Sequence, residues 1–588
     1  MKKATKLLAL LAALVVLVGA FAACTNDGGG TSSGTTSGGD TSGGDTPSGE
    51  LHMSVNLASE PETIDPALNS AVDGAVMAHH FFEGLFKWVD DGSGLADGTG
   101  NAKLELGQAA SYDKSIESDG SVIYTFILRD DILWSDGEPV TAYDFEYALK
   151  RLANPATAAY YASIIEGVIK NASAIRSPDN PDDDPEEWTF ENAADPDSLG
   201  VTALDEKTLE IILENECAYF TELLAFPPLF PMRQDTIEAN GDLWTYDPAT
   251  FITNGPYKME AWEHNSYIHT VKNEHYYDYE NLGPESIRYV LMDDQNAMLA
   301  GFRSGELDFI EDVPIDEIPA LLDANELHVL EYIGTYYLSF NVQAAPFDDA
   351  RVREAFTLAI DRNHIVENIT RTGQVPADGF VPYGIADADP AGDDFRTVGG
   401  QWYSVDPADY EANCERAREL LAEAGYPDGE GFPAVEYMYN TSDAHRAVGE
   451  AMQADWLREL GVNVSLNNQD WNTFLQTRKN GDFQIARDGW ISDFNDPISF
   501  LDMYVSGSGN NNAQLRSQEF DGYINASRAA TDPAERMEIL HDAEKFMQDG
   551  YIVGPIYYYT NKYMLNDNID GLYYTPLGYF LFDYCHYK

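Results

Sequence analysis

The C-terminal half of the chain alternates helical and strand-like segments, and this alternation constrains the fold more than any other feature. Helices are predicted where an apolar stripe follows a capping residue, and strands where short apolar runs lie between them. The predicted helices cover residues 349–369, 406–424, 442–460 and 532–548, and the strands cover 462–466 and 483–486. Such alternation is typical of α/β folds. A chain of 588 residues is also too long for one hydrophobic core, so we expect about two or three packed lobes.

The first 50 residues are predicted to stand apart from this folded body. Basic residues precede an apolar run at 7–18, which is the pattern of a secretory signal over residues 1–23. The small residues before Cys24 resemble a bacterial lipoprotein cleavage box, in which this cysteine carries the lipid; an ordinary signal peptide is the alternative. Residues 24–50 are rich in Gly, Ser and Thr and are predicted to form a flexible tether. We therefore expect a lipid-anchored protein on the outer face of the cell membrane of a Gram-positive-type bacterium.

The charge and the cysteines exclude several classes of partner. The formal net charge is -64, and a surface of this sign repels phosphate backbones, so we expect no nucleic-acid partner. Cys217, Cys414 and Cys585 lack metal-ligand spacing, so neither a metal nor another cofactor is expected, and one disulfide among them stays open. The acidic stretch at 178–196 lacks the ligand order of a calcium loop and is predicted to be a solvated surface insertion.

Motifs of catalysis are missing from the sequence. It contains no zinc-protease HExxH motif, no Walker phosphate loop and no paired-cysteine motif. The adjacent His79 and His80 would point in different directions on a helix, which favours a helix-surface interpretation over a metal site. We predict that the protein is not an enzyme. A surface hydrolase with an unrecognised pair of carboxylates is the alternative, because sequence cannot pair carboxylates in space.

One short segment concentrates tryptophan, arginine and aspartate. It contains Trp471, Arg478, Arg487, Trp490 and Asp493. This segment resembles the peptide-binding core of the oligopeptide-binding proteins, which are members of solute-binding protein family 5 of ABC importers. The resemblance extends over nearly the whole mature chain, through blocks at 60–66, 82–85, 128–145, 254–257, 337–341 and 346–362.

The resemblance implies a two-lobed periplasmic-binding-protein-like α/β fold, type II and cluster C, that encloses short peptides. Enclosing a zwitterion removes water from both of its charged ends, and each end then needs an opposite charge. By the resemblance, Asp493 receives the α-ammonium group of the peptide. Arg478 and Arg487 serve its C-terminal carboxylate, for which a planar guanidinium is well suited.

The resemblance also implies how the rest of the peptide is held. Residues 489–491, which include Gly489 and Ile491, match a strand that binds the peptide backbone, together with Ala71 and Val72. Trp471 and Trp490 would line tolerant side-chain pockets. Further candidates for the cleft are Tyr336, Tyr337 and Asn254. Ile491 replaces a cysteine that forms a disulfide in some relatives, and Thr335 offers no partner for one.

The implied domain organisation is discontinuous. Lobe I comprises 51–75, 200–335 and 561–588, an additional subdomain II comprises 76–199, and lobe III comprises 336–560. We expect a monomer that closes about its ligand and is recognised by the permease subunits of an ABC importer. Relatives on the same scaffold take dipeptides, nickel complexes, haem or oligosaccharides, and these alternatives stay open; Asp493 favours a ligand that bears an ammonium group.

Overall fold

The computed structural model describes residues 49–96, 98–180 and 188–588. The predicted signal peptide, Cys24 and nearly all of the predicted tether lie outside the described residues, as do residues 181–187 of the acidic insertion. None of the helices in the described ranges has the length and apolar character needed to cross a membrane.

The strands are distributed along the whole described chain. They are β1 (His52–Asn56), β2 (Phe86–Asp90), β3 (Ala102–Leu106), β4 (Ala109–Ile116), β5 (Val122–Leu128), β6 (Val201–Asp205), β7 (Thr208–Leu213), β8 (Tyr257–Glu263), β9 (Tyr267–Lys272), β10 (Ser286–Val290), β11 (Phe309–Ile310), β12 (His328–Phe340), β13 (Val375–Pro376), β14 (Val435–Asn440), β15 (Val464–Gln469), β16 (Ile485–Ile491), β17 (Val553–Leu565), β18 (Ile569–Asp570), β19 (Tyr573–Tyr574), β20 (Phe580–Leu581) and β21 (His586–Tyr587).

The longer helices lie mainly in the C-terminal half. The α-helices are α1 (Val72–Phe81), α2 (Ala142–Ala153), α3 (Ala172–Ile175), α4 (Phe220–Leu223), α5 (Gln234–Asn240), α6 (Gln295–Ser304), α7 (Ile318–Asp323), α8 (Ala350–Leu358), α9 (Arg362–His364), α10 (Phe395–Gly399), α11 (Tyr410–Glu423), α12 (Asp443–Leu460), α13 (Trp471–Lys479), α14 (Ile498–Leu501), α15 (Gln518–Ala529) and α16 (Pro533–Gly550).

Two long antiparallel strands, β12 and β17, join the two halves of the main sheet. The strand order is β15-β14-β16-β12-β17-β11-β1-β10-β9-β8, and β13 pairs with β17 beside this path. The end of β17 reaches β11, whereas the C-terminal part of β12 pairs with β16. The register between β12 and β17 shifts between Glu331 and Thr335. A bulge of this kind interrupts the ladder, here between the two halves of the sheet.

A separate antiparallel sheet has the order β4-β5-β7-β6. Helix α2 packs on it, and a capping box marks its beginning, with the Asp144 carboxylate accepting the N–H of Thr141 at 2.8 Å. The predicted boundary at residue 200 would assign β6 and β7 to lobe I, but both strands hydrogen-bond within this sheet. Strand pairing therefore groups residues 201–213 with the predicted subdomain, and the rest of the lobe division stays a prediction.

Most of the predicted helices are present, and their caps explain where they begin. The Ser442 side chain accepts a hydrogen bond from the third residue of α12, and the Asp532 side chain does the same for the first turn of α16. The single helix predicted over 349–369 is wrong. Helix α8 ends at Leu358, and Asp361 caps the separate helix α9.

Candidate functional site

A cavity of about 350 Å³ lies where the N-terminal segment and α1 face α13 and β16. Both sides contribute charged and aromatic side chains to its wall. The residues of the wall that matter for its chemistry are Asp73, Tyr161, His445, Trp471, Leu475, Arg478, Lys479, Arg487, Asp488, Trp490, Asp493 and Tyr559.

Strand β16 presents a free edge to this cavity. Along residues 485–491 its other edge pairs with β12. On the cavity side, β14 pairs only with residues 485–486, so within the described structure residues 487–491 have no strand partner there. The Asp488 carboxylate accepts the N–H of Gly489 at 2.8 Å and occupies part of this edge. The other outward main-chain groups are available for an added strand.

Asp493 follows β16 and faces the cavity with no basic partner among the described residues. Its carboxylate accepts hydrogen bonds from the hydroxyl groups of Tyr161 at 3.1 Å and Ser499 at 3.4 Å. Burial raises the pKa of Asp493 well above its usual range, and the nearby Asp502 carboxylate raises it further. The ionised form is therefore unfavourable until a cation enters the cavity.

Burial opposes the charge of Arg487, but nearby Tyr559, Tyr336 and Asp488 outweigh this effect and raise its pKa. Among the described residues no carboxylate lies within ion-pair distance of its guanidinium group, and its buried Nε atom has no hydrogen-bond partner. The guanidinium lies 5.5 Å from the ring centroid of Tyr336. One acid and one base, both without an ionic partner, thus line the same cavity and belong to the same short segment of chain.

Arg478 differs from Arg487, because it has an ionic partner within the protein. Its guanidinium forms an ion pair with Asp488, which also accepts the side-chain N–H of Asn512 at 3.1 Å. Arg478 is 8% exposed and Asp488 1% exposed. A buried pair of this kind is already neutral. Arg478 therefore holds Asp488 against the edge of β16, and its role toward a ligand carboxylate stays a prediction.

Both predicted tryptophans line the cavity. The Trp471 indole N–H donates to the Asp73 carboxylate at 3.1 Å, and the Trp490 ring lies 6.1 Å from that of Tyr161. The predicted backbone segment also lies at the cavity, because Gly489 and Ile491 belong to the free edge of β16.

Gly489 has a further steric reason to lack a side chain. A Cβ atom there would collide with the hydroxyl oxygen of Tyr559, which lines the same cavity. Glycine at this position therefore allows the tyrosine to approach the strand edge.

Three predicted ligand residues lie outside the cavity wall. Asn254 is buried and bonds both main-chain groups of Glu83, accepting the N–H at 3.2 Å and donating to the carbonyl at 2.9 Å. Tyr336 and Tyr337 are fully buried on β12, and the Tyr337 ring packs on Phe380. A ligand contact of these three residues therefore stays a prediction that the cavity wall does not support.

Ala71 and Val72 line the cavity but form no strand, so that part of the prediction is corrected. Val72 begins α1, and Ala71 is its N-cap. The Asn69 side chain accepts the N–H of Ala71 at 3.2 Å and donates to its carbonyl at 2.9 Å. The Ala71 backbone is extended, but both of its main-chain groups bond to Asn69 and Val72 is already helical, so the two residues form no strand edge in this structure.

Sequence reasoning missed several residues of the wall. Tyr161 and Tyr559 come from segments without a motif, and both are brought to the cavity by distant strands and loops. His445 also lines the cavity, and burial together with the charge of Arg487 lowers its pKa well below the usual range. Lys479 directly follows Arg478 on the same helix, and this proximity is the one sequence signal that could have identified it as a residue of the wall.

Direct contacts across the cavity hold its two sides together. Lys479 forms an ion pair with Glu62 at 3.0 Å, and Trp471 bonds to Asp73. Further contacts of this kind are Tyr161 with Asp493, Gln476 with Glu62, Asn495 with Glu222, and the stacked rings of Tyr219 and Phe494. The described structure is therefore in a closed arrangement.

The described residues include no cluster of three or more His, Cys, Asp or Glu side chains suited to a metal ion. Cys217, Cys414 and Cys585 are free thiols, so the disulfide that the sequence left open is not formed among them.

Residues 104–512 match the family model described as "Bacterial extracellular solute-binding proteins, family 5 Middle". This match covers more than half of the chain. The chain belongs to solute-binding protein family 5.

Relatives of this family-5 protein match along most of its length. The oligopeptide-binding protein OppA of Bacillus subtilis is 33% identical over 542 residues, covering 91% of this chain and 92% of its own. The periplasmic OppA of Salmonella typhimurium is 34% identical, covering 88% of each chain. The structure of Haemophilus influenzae OppA in complex with the peptide RPPGFSPFR superposes with a TM-score of 0.81 at 28% identity, covering 92% of this chain and 99% of the other.

These findings decide three predictions. The family resemblance is confirmed, and so is the α/β fold of periplasmic-binding-protein type. Because the family consists of extracellular solute-binding proteins, the chain is a binding protein and not an enzyme.

Proposed function

We propose that this family-5 protein is the substrate-binding component of an ABC peptide importer and captures short peptides in the cavity. The observation that carries the proposal is the pair of charges without ionic partners, Asp493 and Arg487. Asp493 follows Arg487 by six positions along the chain. Six residues of extended chain span about 20 Å, which is the length of a short extended peptide. Asp493 would pair with the ammonium end and Arg487 with the carboxylate end of such a ligand.

The free edge of β16 supports the same proposal. All peptides share a backbone, and a receptor for many sequences can bind that backbone as an added strand. Residues 487–491 offer unpaired main-chain groups, with Trp471 and Trp490 beside them. The names of the relatives, and the nonapeptide in the Haemophilus structure, are in line with a peptide ligand.

Closure of the two sides of the cavity about a peptide is consistent with the proposed role in an importer. The two sides of the cavity are linked through β12 and β17, whose register shift interrupts the ladder between them. The contacts across the cavity form only when the sides come together, and a bound peptide would add more. The permease subunits would then recognise the closed state. The monomeric state stays a prediction.

Blocking the ammonium end of the ligand tests the proposed function. We expect N-acetylation of a tetrapeptide to weaken its binding by about 100-fold, because Asp493 would be left without its charge partner. Isothermal titration of the acetylated and free forms measures the difference. Mass spectrometry of the peptide afterwards should recover it intact. Equal affinity for both forms, or cleaved peptide, would contradict the proposal.

We also propose that Cys24 carries a lipid that holds the protein at the outer face of the membrane. Its support is the sequence alone, in which small residues precede Cys24 and a Gly/Ser/Thr-rich segment follows. Replacing Cys24 with serine is expected to move the protein from the membrane fraction to the medium, as measured by fractionation and immunoblotting. Cys217→Ser is the matched control and should stay with the membranes. If the Cys24 variant also stays there, the anchor is not at this residue.

A further inference from the structure

The charges in the cavity wall do not balance, and the excess is negative. Arg478 is neutralised by Asp488, Lys479 by Glu62, and Asp312 by Lys562 at 2.7 Å. A zwitterionic peptide would neutralise Asp493 and Arg487. Two further carboxylates, Asp73 and Asp293, then remain in the wall without a basic side chain bonded to them among the described residues, and of the two Asp293 is exposed whereas Asp73 is half-buried.

Asp73 is placed to contact a ligand as well as to bridge the two sides. It lies in the first turn of α1, and its two oxygens accept one hydrogen bond each, from the Gly74 N–H at 2.8 Å and from Trp471 at 3.1 Å. A carboxylate has about four acceptor positions, so roughly half of its capacity is unused. Burial, and to a smaller extent the Glu62 charge, raises the pKa of Asp73 to about 6.

The wall beside Asp73 includes apolar and aromatic surface. Trp471 and Leu475 stand one turn apart on α13 and both line the cavity. A lysine or arginine side chain has matching chemistry, since its methylene stem packs on apolar surface while its charged end seeks a carboxylate or an aromatic face. A neutral or acidic side chain would leave the Asp73 charge uncompensated.

We propose that Asp73 makes the cavity selective for peptides with a basic side chain, whose charged end it binds against Trp471. This inference rests on the proposed peptide-binding function and names the class of peptide. Asp73 would then select the ligand, in addition to accepting the hydrogen bond from Trp471 across the cavity.

A peptide scan tests the proposal. Tetra-alanine is compared with four variants carrying lysine, and four carrying methionine, at each position in turn. At one position the parent protein should bind the lysine peptide about 10-fold to 100-fold more tightly than the methionine peptide, the range expected for a hydrogen bond to a charged group. Asp73→Asn removes the charge, keeps one oxygen acceptor that can serve Trp471 at the expense of the Gly74 N–H, and should reduce this ratio to about one.

The control variant is Asp428→Asn, which changes the net charge equally at an exposed residue away from the cavity and whose left-handed backbone (φ 54°) asparagine tolerates. It should keep the full lysine preference. A lysine preference that survives in Asp73→Asn, or that is absent from the parent at every position, overturns the inference. Equal weakening of all peptides in Asp73→Asn would also overturn it and leave Asp73 as a bridge only. If none of the nine peptides binds the parent, the proposed function itself fails.

Discussion

Replacing Asp493 with asparagine is expected to lower the affinity for free peptides by about 100-fold or more, because the ligand ammonium would lose its proposed acidic partner in an enclosed cavity. Isothermal titration with a free tetrapeptide measures this loss. The N-acetylated peptide should bind the variant and the parent about equally weakly, since acetylation and substitution remove the same interaction. Asp293→Asn, which removes an exposed carboxylate of the same cavity wall, is the matched control and should bind almost normally.

The same substitution is expected to stabilise the protein when no peptide is bound. Burial raises the pKa of Asp493 above its unfolded value, so the folded state binds this proton more tightly than the unfolded state does. The resulting stability is present below about pH 4 and is lost as the pH rises toward the folded pKa. At neutral pH the variant should therefore have the higher melting temperature, and at low pH the two should converge. A variant less stable than the parent at neutral pH would show that Asp493 already has a partner.

The second large expected effect is a loss of stability when Arg478 is replaced. Arg478→Met would leave Asp488 buried without its ion-pair partner, which typically costs about 3 to 5 kcal/mol in free energy of unfolding. Urea denaturation of the peptide-free protein measures this change. A loss below about 1 kcal/mol would mean that the pair is solvated and that Arg478 is available to ligands after all.

Arg487→Met is the matched comparison, because both arginines line the same cavity. This guanidinium has no anionic partner among the described residues, so its removal should change stability little. It should instead weaken peptides with a free C-terminal carboxylate by about 10-fold to 100-fold and leave C-terminal amides almost unaffected. The two arginines would thus separate into a structural and a ligand-binding residue, and the reverse pattern would exchange their roles.

Local patterns in the sequence were sufficient for much of the secondary structure. Ser442 and Asp532 mark the beginnings of α12 and α16, because a capping side chain bonds main-chain groups only two or three residues away. The prediction of one long helix over 349–369 is wrong, and the cause is again a local cap. A second capping aspartate, Asp361, begins a new helix inside that range.

The sequence by itself determined the α/β class, the family and the short segment that holds Asp493, Arg487 and the two tryptophans. Each of these depends on residues that are close in sequence or on the order of motifs. The tertiary structure alone decided which charges lack an ionic partner. Asp488 forms an ion pair with Arg478 but not with Arg487, and Asp73 meets Trp471 although 398 positions separate them. Coulomb energy and desolvation depend on distances in space, and spacing along the chain does not fix those distances.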